Sequence, residues 1–161
     1  SVLDVACGSG FGKGILPDNI KYLGVDLLLP HISFASKFYG DGFIHGSIYD
    51  MDIKDRFDTI ISIQTFEHLP DIDLAFKILL KHLSPGGTII FGVPLNQPDR
   101  YHQTVFTYSS VNEFLDKSLD GYVYSKEDWY QEKTDIVLIN KKISDSRGGT
   151  FFSVLKGIRY R

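Results

Sequence analysis

An α/β layered fold built on a mainly parallel sheet follows from three observations on this 161-residue chain. Short apolar runs alternate with amphipathic stretches from Ser1 to Pro94. One of those stretches carries clear helical spacing, and a glycine-rich turn follows directly on the first apolar run. Strands joined by crossover helices produce this alternation, because such a sheet is covered on both faces.

The expected strands are residues 2–6, 22–25, 42–45, 59–63 and 88–93, each short and several rich in Val, Ile or Tyr. Between Asp71 and Leu83, the residues Ile72, Ala75, Phe76, Leu79 and Leu83 recur at three- and four-residue spacing. That pattern is a helix with one face on the sheet, stopped by Ser84-Pro85-Gly86-Gly87. A second helix is expected after Pro30, with Ile32, Phe34, Ala35 and Phe38 as apolar positions and Gly40 as its stop. Ser110 and Glu113 have the spacing of a capping box for a third. Beyond Gly121 the aromatic residues Tyr122, Tyr124, Trp129 and Tyr130 are interrupted by charges, and the apolar run 136–139 has no evident partner. Residues 150–155 read as a final strand after the turn-like Asp145-Ser146-Arg147-Gly148-Gly149.

The chain is long enough for one domain, residues 1–161, with its own core and no metal or disulfide staple. A net charge of -3 gives no general attraction for phosphate backbones, so nucleic acid is not the expected partner. The single cysteine, Cys7, excludes an internal disulfide and fits a reducing compartment, for which the cytoplasm is the expectation. No apolar run is long enough to span a membrane, and no membrane partner is expected. The sequence is silent on oligomeric state.

The most informative run is Val2-Leu3-Asp4-Val5-Ala6-Cys7-Gly8-Ser9-Gly10-Phe11-Gly12, a strand passing into a glycine turn and a short helix. Gly8 and Gly10 permit positive φ and let main chain approach a nucleotide-like ligand at a helix N-terminus. A dinucleotide site would carry a third glycine where Lys13 stands. An acidic strand residue followed by Cys-Gly-Ser-Gly resembles motif I of class I S-adenosylmethionine (SAM) dependent methyltransferases. Arg56-Phe57-Asp58-Thr59-Ile60, Glu67-His68-Leu69-Pro70 and Leu83-Ser84-Pro85-Gly86-Gly87 are similar to three further segments of that family, in its order. Together these motifs span about residues 2–94.

The resemblance implies a Rossmann-like, doubly wound sheet of seven strands, mostly parallel with the last antiparallel, and helices on both faces. It implies SAM as cofactor and a methyl group moved to an oxygen or nitrogen acceptor on a small molecule. It carries over Asp4, Ala6, Gly8, Ser9 and Gly10 as cofactor contacts. Asp26 ends the second strand and is placed, with Leu27, to meet the ribose diol; the competing reading is a turn aspartate. The family often has Gly-Asp after strand three, but this chain has Gly46-Ser47-Ile48, so Ser47 and Ile48 are assigned to adenine by position alone. Gln64 at the tip of strand four is a further contact or a polar strand end. The family usually carries a helix or lid before strand one, and this chain begins almost inside that strand.

Methyl transfer requires alignment and exclusion of water more than a fixed triad, although a hydroxyl or ammonium acceptor must lose a proton. His68 and His102 are the candidates to take it, each against an ordinary structural role. Residues 101–108 resemble a loop of methyltransferases from bacterial surface-polysaccharide clusters, which points to a sugar or polysaccharide precursor. The histidine spacing suggests no metal site, and no metal is expected. Two rivals stand beside this reading: a nucleotide-dependent oxidoreductase, opposed by Asp4 and the missing third glycine, and a non-catalytic SAM-binding or scaffold module.

Overall fold

Val2, Leu3 and Val5 form the strand around which the sheet is assembled. In the computed structural model, which describes residues 1–119, 122–129 and 134–141, this strand, β1 (Val2–Val5), is buried along its whole length. It lies parallel between β2 (Tyr22–Asp26) and β4 (Phe57–Ile63), with Leu3 opposite both Leu23 and Ile60. β3 (Phe43–His45) extends the sheet beyond β2, and β5 (Leu83–Pro94) extends it beyond β4, both in parallel.

The seven described strands run in the order β3-β2-β1-β4-β5-β7-β6. β7 (Thr134–Lys141) inserts antiparallel between β5 and β6 (Tyr122–Trp129), so the last described strand is the antiparallel one. Ile136 to Ile139, without an evident partner in sequence, lie opposite Gly92 to Ile89 of β5, and Ile139 is buried. The strand read at residues 150–155 and its preceding turn lie outside the described residues.

The crossovers run one way from β1 to β3 and the other way from β4 to β5. Right-handed connections therefore set α1 (Phe11–Ile15) and α2 (Leu29–Tyr39) on one face and α3 (Ile72–His82) on the other, the doubly wound arrangement. Asp71 caps α3 by accepting from the Leu74 amide at 2.9 Å, and Ala75, Phe76 and Leu79 are fully buried, as the spacing predicts. α4 (Tyr108–Ser118) starts one turn earlier than expected. Thr107 is its cap, exchanging bonds with Ser110, while Glu113 accepts from Ser109 instead of closing a box.

On the second face the sequence reading fails in part. α2 begins with Pro30 in its first turn and ends at Gly40, as expected, yet only Ile32 and Ala35 of its four apolar positions are buried. Phe34 and Phe38 lie exposed and stack on each other at 4.2 Å. α1 is only five residues long and none of them is buried, so it gives α2 little to pack against, and the apolar pattern exceeds what that face covers.

Phe66, Phe76, Phe91 and Phe114 dominate the other face, where edge-on contacts such as Phe66–Phe91 at 4.8 Å and Phe76–Phe114 at 5.3 Å knit α3, α4 and β5 together. Phe66 also opens a short 3₁₀ turn, Phe66–His68, and its fully buried ring fixes that turn to the sheet.

Candidate active site

Among the described residues, three other than glycine have positive φ, and each follows the carboxyl end of a central strand: Ala6 (61°) after β1, Gln64 (53°) after β4 and Asn96 (52°) after β5. Such conformations cost free energy and persist where surrounding structure imposes them, commonly at functional sites. They bracket the point where strand order reverses between β1 and β4, the usual ligand crevice of open α/β sheets.

The glycine turn is held from several sides. The Cys7 amide donates to the Val25 carbonyl at 3.0 Å and the Gly10 amide to the Cys7 carbonyl at 3.1 Å. Gly10 (φ 83°) has no room for a Cβ, which would lie 2.8 Å from both Ala35 Cβ and the Phe43 ring. Gly8 (φ 54°) is the opposite case, since a Cβ there would meet nothing within 4 Å. One glycine is required by packing and the other faces open space, with Ala6 and Ser9 exposed beside it. The amides of Cys7, Gly8 and Gly10 are already bound to protein acceptors, so the turn offers shape more than those donors.

Asp26 stands at the end of β2, buried, and connects the turn to the second crossover. Its Oδ2 accepts from the Gly8 amide at 2.9 Å; its Oδ1 accepts from the Leu28 amide at 2.8 Å and lies 3.2 Å from His31 Nδ1. A carboxylate has about four lone-pair positions, so three are engaged and a diol must share or displace one. Leu27 beside it is 65% exposed, an apolar surface next to the turn.

Asp4 is 8% exposed and accepts from the Tyr22 hydroxyl at 2.7 Å. Burial pushes its carboxyl above the usual range, the Tyr22 bond draws it partly back, and the Asp26 charge adds to the rise. Tyr22, a β2 residue whose strand pattern gives no sign of a polar role, is thus the partner of the motif's acid. Burial likewise pushes the Cys7 thiol up to about 12, consistent with a packing role. Lys13, where a dinucleotide fold would have glycine, donates to the carbonyls of Tyr39 and Asp41 and so caps the end of α2.

After β3, Ser47 forms a local turn, its Oγ accepting from the Tyr49 amide at 3.2 Å, while Ile48 enters the core. Gln64 is exposed at the end of β4 and its amide donates to the Gly92 carbonyl at 2.8 Å.

The second half of the crevice is made by the 3₁₀ turn and the loop after β5. The amides of Gln103 and Thr104 both donate to the Glu67 carbonyl, at 2.7 and 3.1 Å, and fold the loop onto the turn. His68 and His102, 34 positions apart, are thereby brought to a ring separation of 5.0 Å. His68 Nδ1 lies 3.2 Å from the Tyr101 carbonyl and His102 Nδ1 2.7 Å from the Gln97 carbonyl. A carbonyl only accepts, so each Nδ1 carries the hydrogen and each neutral ring presents its Nε2 lone pair. Glu67, 1% exposed, completes the group: one oxygen is 3.8 Å from His68 Nε2 and Oε2 is buried with no hydrogen-bond partner. Burial raises its carboxyl, against a lowering by its own backbone amide and the two histidines. The histidine pair was legible as two separate candidates; Glu67, read in sequence only as part of a family segment, was not legible as their companion.

The fold and crevice define the Rossmann-like architecture of class I SAM-dependent methyltransferases. Residues 3–91 match the family model described as a methyltransferase domain, and the chain belongs to that family. It is 27% identical over 152 residues to the malonyl-[acyl-carrier protein] O-methyltransferase of Calditerrivibrio nitroreducens, covering 89% of this chain and 62% of that protein. It is 24% identical over 127 residues to the ubiquinone biosynthesis O-methyltransferase of Rickettsia akari, covering 75% and 51%. It is 33% identical over 98 residues to phosphoethanolamine N-methyltransferase 3 of Arabidopsis thaliana, covering 55% and 20%. The chain thus spans less than two thirds of the length of these relatives. Among solved structures, an S-adenosylmethionine-dependent methyltransferase from Clostridium acetobutylicum superposes with a TM-score of 0.71 at 16% identity, over 87% of this chain and 83% of that one. The plantazolicin methyltransferase BpumL, solved in complex with a pentazolic desmethylPZN analog and SAH, superposes with a TM-score of 0.71 at 16% identity, over 87% and 76%.

Proposed function

We propose that this protein transfers a methyl group from SAM to an oxygen or nitrogen atom of a small-molecule acceptor. The observation that carries the reading is the glycine turn after β1, tied through Gly8 to Asp26 and open above Gly8. When bound, SAM supplies a carbon activated by its sulfonium, and the chain's part is to align donor and acceptor and to exclude water. Ala6, Gly8, Ser9 and Gly10 would underlie the methionine portion, with Asp4 braced by Tyr22 beneath them. Asp26 and Leu27 would meet the ribose, Ser47 and Ile48 the adenine, and Gln64 the mouth of the crevice.

His68 and His102 face the acceptor side, and the free Nε2 of either can receive a proton from a hydroxyl or ammonium group. Phosphoethanolamine, named for one relative, favours a small acceptor over nucleic acid, as does the net charge of -3. The resemblance of residues 101–108 to polysaccharide-cluster enzymes favours a sugar within that class. A reducing compartment such as the cytoplasm suits the lone Cys7. Among the described residues no helix is long and apolar enough to cross a membrane.

Calorimetric titration with SAM, SAH and NAD tests the cofactor, and transfer of a labelled methyl group across an acceptor panel tests the activity. Saturable binding of SAM and SAH with labelled product is expected. Binding of NAD in place of SAM would reject the reading, and SAM binding without turnover on any acceptor would reduce the chain to a binding module.

A further inference from the structure

We infer that Glu67, His68 and His102 form a binding site for a divalent transition-metal ion of zinc-like preference, and that the ion holds an acceptor bearing neighbouring oxygen atoms. One ligand atom from each residue lies within 4.8 Å of the other two. An ion centred among atoms so spaced would be at most about 2.8 Å from each, and small rotations of the two histidine rings would bring this to the roughly 2.0–2.2 Å of zinc–nitrogen and zinc–carboxylate bonds.

Four features of the cluster point to an ion. Two imidazoles and a carboxylate are the donor set of open, catalytic metal sites, in which three protein ligands leave positions for substrate or water. Both Nδ1–H groups are held by backbone carbonyls, of Tyr101 and Gln97, which fixes the tautomer that turns Nε2 into a ligand. Metal-bound histidines are oriented in this way. Glu67 Oε2 is buried and unpartnered, and it stands out among the described side chains because a carboxylate so placed is costly unless something positive meets it. Finally, burial is graded: Glu67 is enclosed, His102 half-buried and His68 exposed, so the ion would be gripped from below and open to the crevice.

The site also selects a substrate class, and this part of the inference rests on the proposed methyl transfer. An ion with at least one open position binds a hydroxyl and favours its deprotonated form, and adjacent oxygens, as in a sugar diol or catechol, bind better by chelation. With the Nε2 atoms of His68 and His102 on the ion, the ion replaces the histidines as the group that promotes deprotonation: the proton leaves to solvent, the oxygen forms its bond to the methyl carbon as the carbon–sulfur bond breaks, and the ion is unchanged.

The test uses the whole chain, stripped with a chelator and titrated calorimetrically with zinc, then with cobalt to read its visible absorption. One equivalent of zinc is expected, with binding weakened at least about tenfold in Glu67→Gln and in His102→Ala. In His82→Ala, outside the cluster, affinity should be unchanged. Glu67→Gln removes a buried ionisable group while keeping its shape, so it preserves the fold if His102→Ala does not. Absence of saturable zinc binding, or zinc binding equal in wild type and both cluster variants, would overturn the inference. SAM titration of the same samples separates the two claims. SAM binding without zinc binding sinks the metal site alone, whereas zinc binding without SAM binding sinks the methyl-transfer reading and with it the substrate class, leaving the ion site standing.

Discussion

The two halves of the crevice are built differently. The half after β1 and β2 is local: Gly8, Gly10 and Asp26 lie within 19 consecutive positions, and main chain carries most of the contacts. The half after β4 and β5 is assembled at long range, from a three-residue turn pinned by Phe66 and a loop bonded to the Glu67 carbonyl. A binding floor common to one cofactor can be encoded in a glycine turn, whereas an acceptor wall must be reassembled from side chains whenever the acceptor changes.

This contrast is open to attack by mutation. The largest effect is expected in the long-range half. Phe66→Ala removes a fully buried ring in contact with Phe76, Phe91 and Phe114, and should cost about 3–5 kcal/mol in urea unfolding. A cost below about 1 kcal/mol would show that the 3₁₀ turn is not held by this anchor. In the local half, Gly10→Ala forces a Cβ into Ala35 and Phe43 at a positive φ, and should cost about 2–3 kcal/mol by the same measurement. Gly8→Ala has open space and only the backbone penalty, about 1 kcal/mol of stability, while obstructing SAM. Equal costs at the two glycines would remove the distinction between a packing glycine and a ligand-facing one.

The smallest effect concerns Asp4. Its carboxyl is raised above its ordinary value in the folded state, so through that interval the folded chain holds more protons than the unfolded one. Stability from this group is therefore complete below the ordinary carboxylate value and declines as pH rises through the raised one. Asp4→Asn, whose Oδ1 can still accept from Tyr22, should lose that decline: melting temperatures of variant and wild type should converge in acid and separate in the variant's favour toward neutral pH. A wild type that gains on the variant as pH rises would contradict the assignment.

The sequence showed the local half well and the assembled half poorly, for physical reasons. Apolar periodicity located β1, β2, β4, β5 and α3, since each is covered by neighbours that its own pattern demands. It misjudged Phe34 and Phe38 because periodicity says which residues share a helix face but not how much partner that face will find. The apolar run in β7 was visible, and its place beside β5 was not, because antiparallel insertion depends on pairing across more than 40 positions. The glycine turn could be read because φ requirements are written in the glycines themselves. His68 and His102 were read singly; their union with Glu67 depends on two amides of a loop meeting one carbonyl, which leaves no mark in spacing or composition. Tyr22 and Lys13 were missed likewise, their partners being a buried carboxylate and helix-end carbonyls supplied by tertiary structure.

The most direct test of the central claim is the position of SAH in crystals of this protein. The account predicts adenosine against Leu27 with its ribose at Asp26, the methionine portion over Gly8, and the sulfur turned toward the Glu67, His68 and His102 side of the crevice. SAH bound elsewhere, or a crevice that stays empty at saturating ligand, would contradict it.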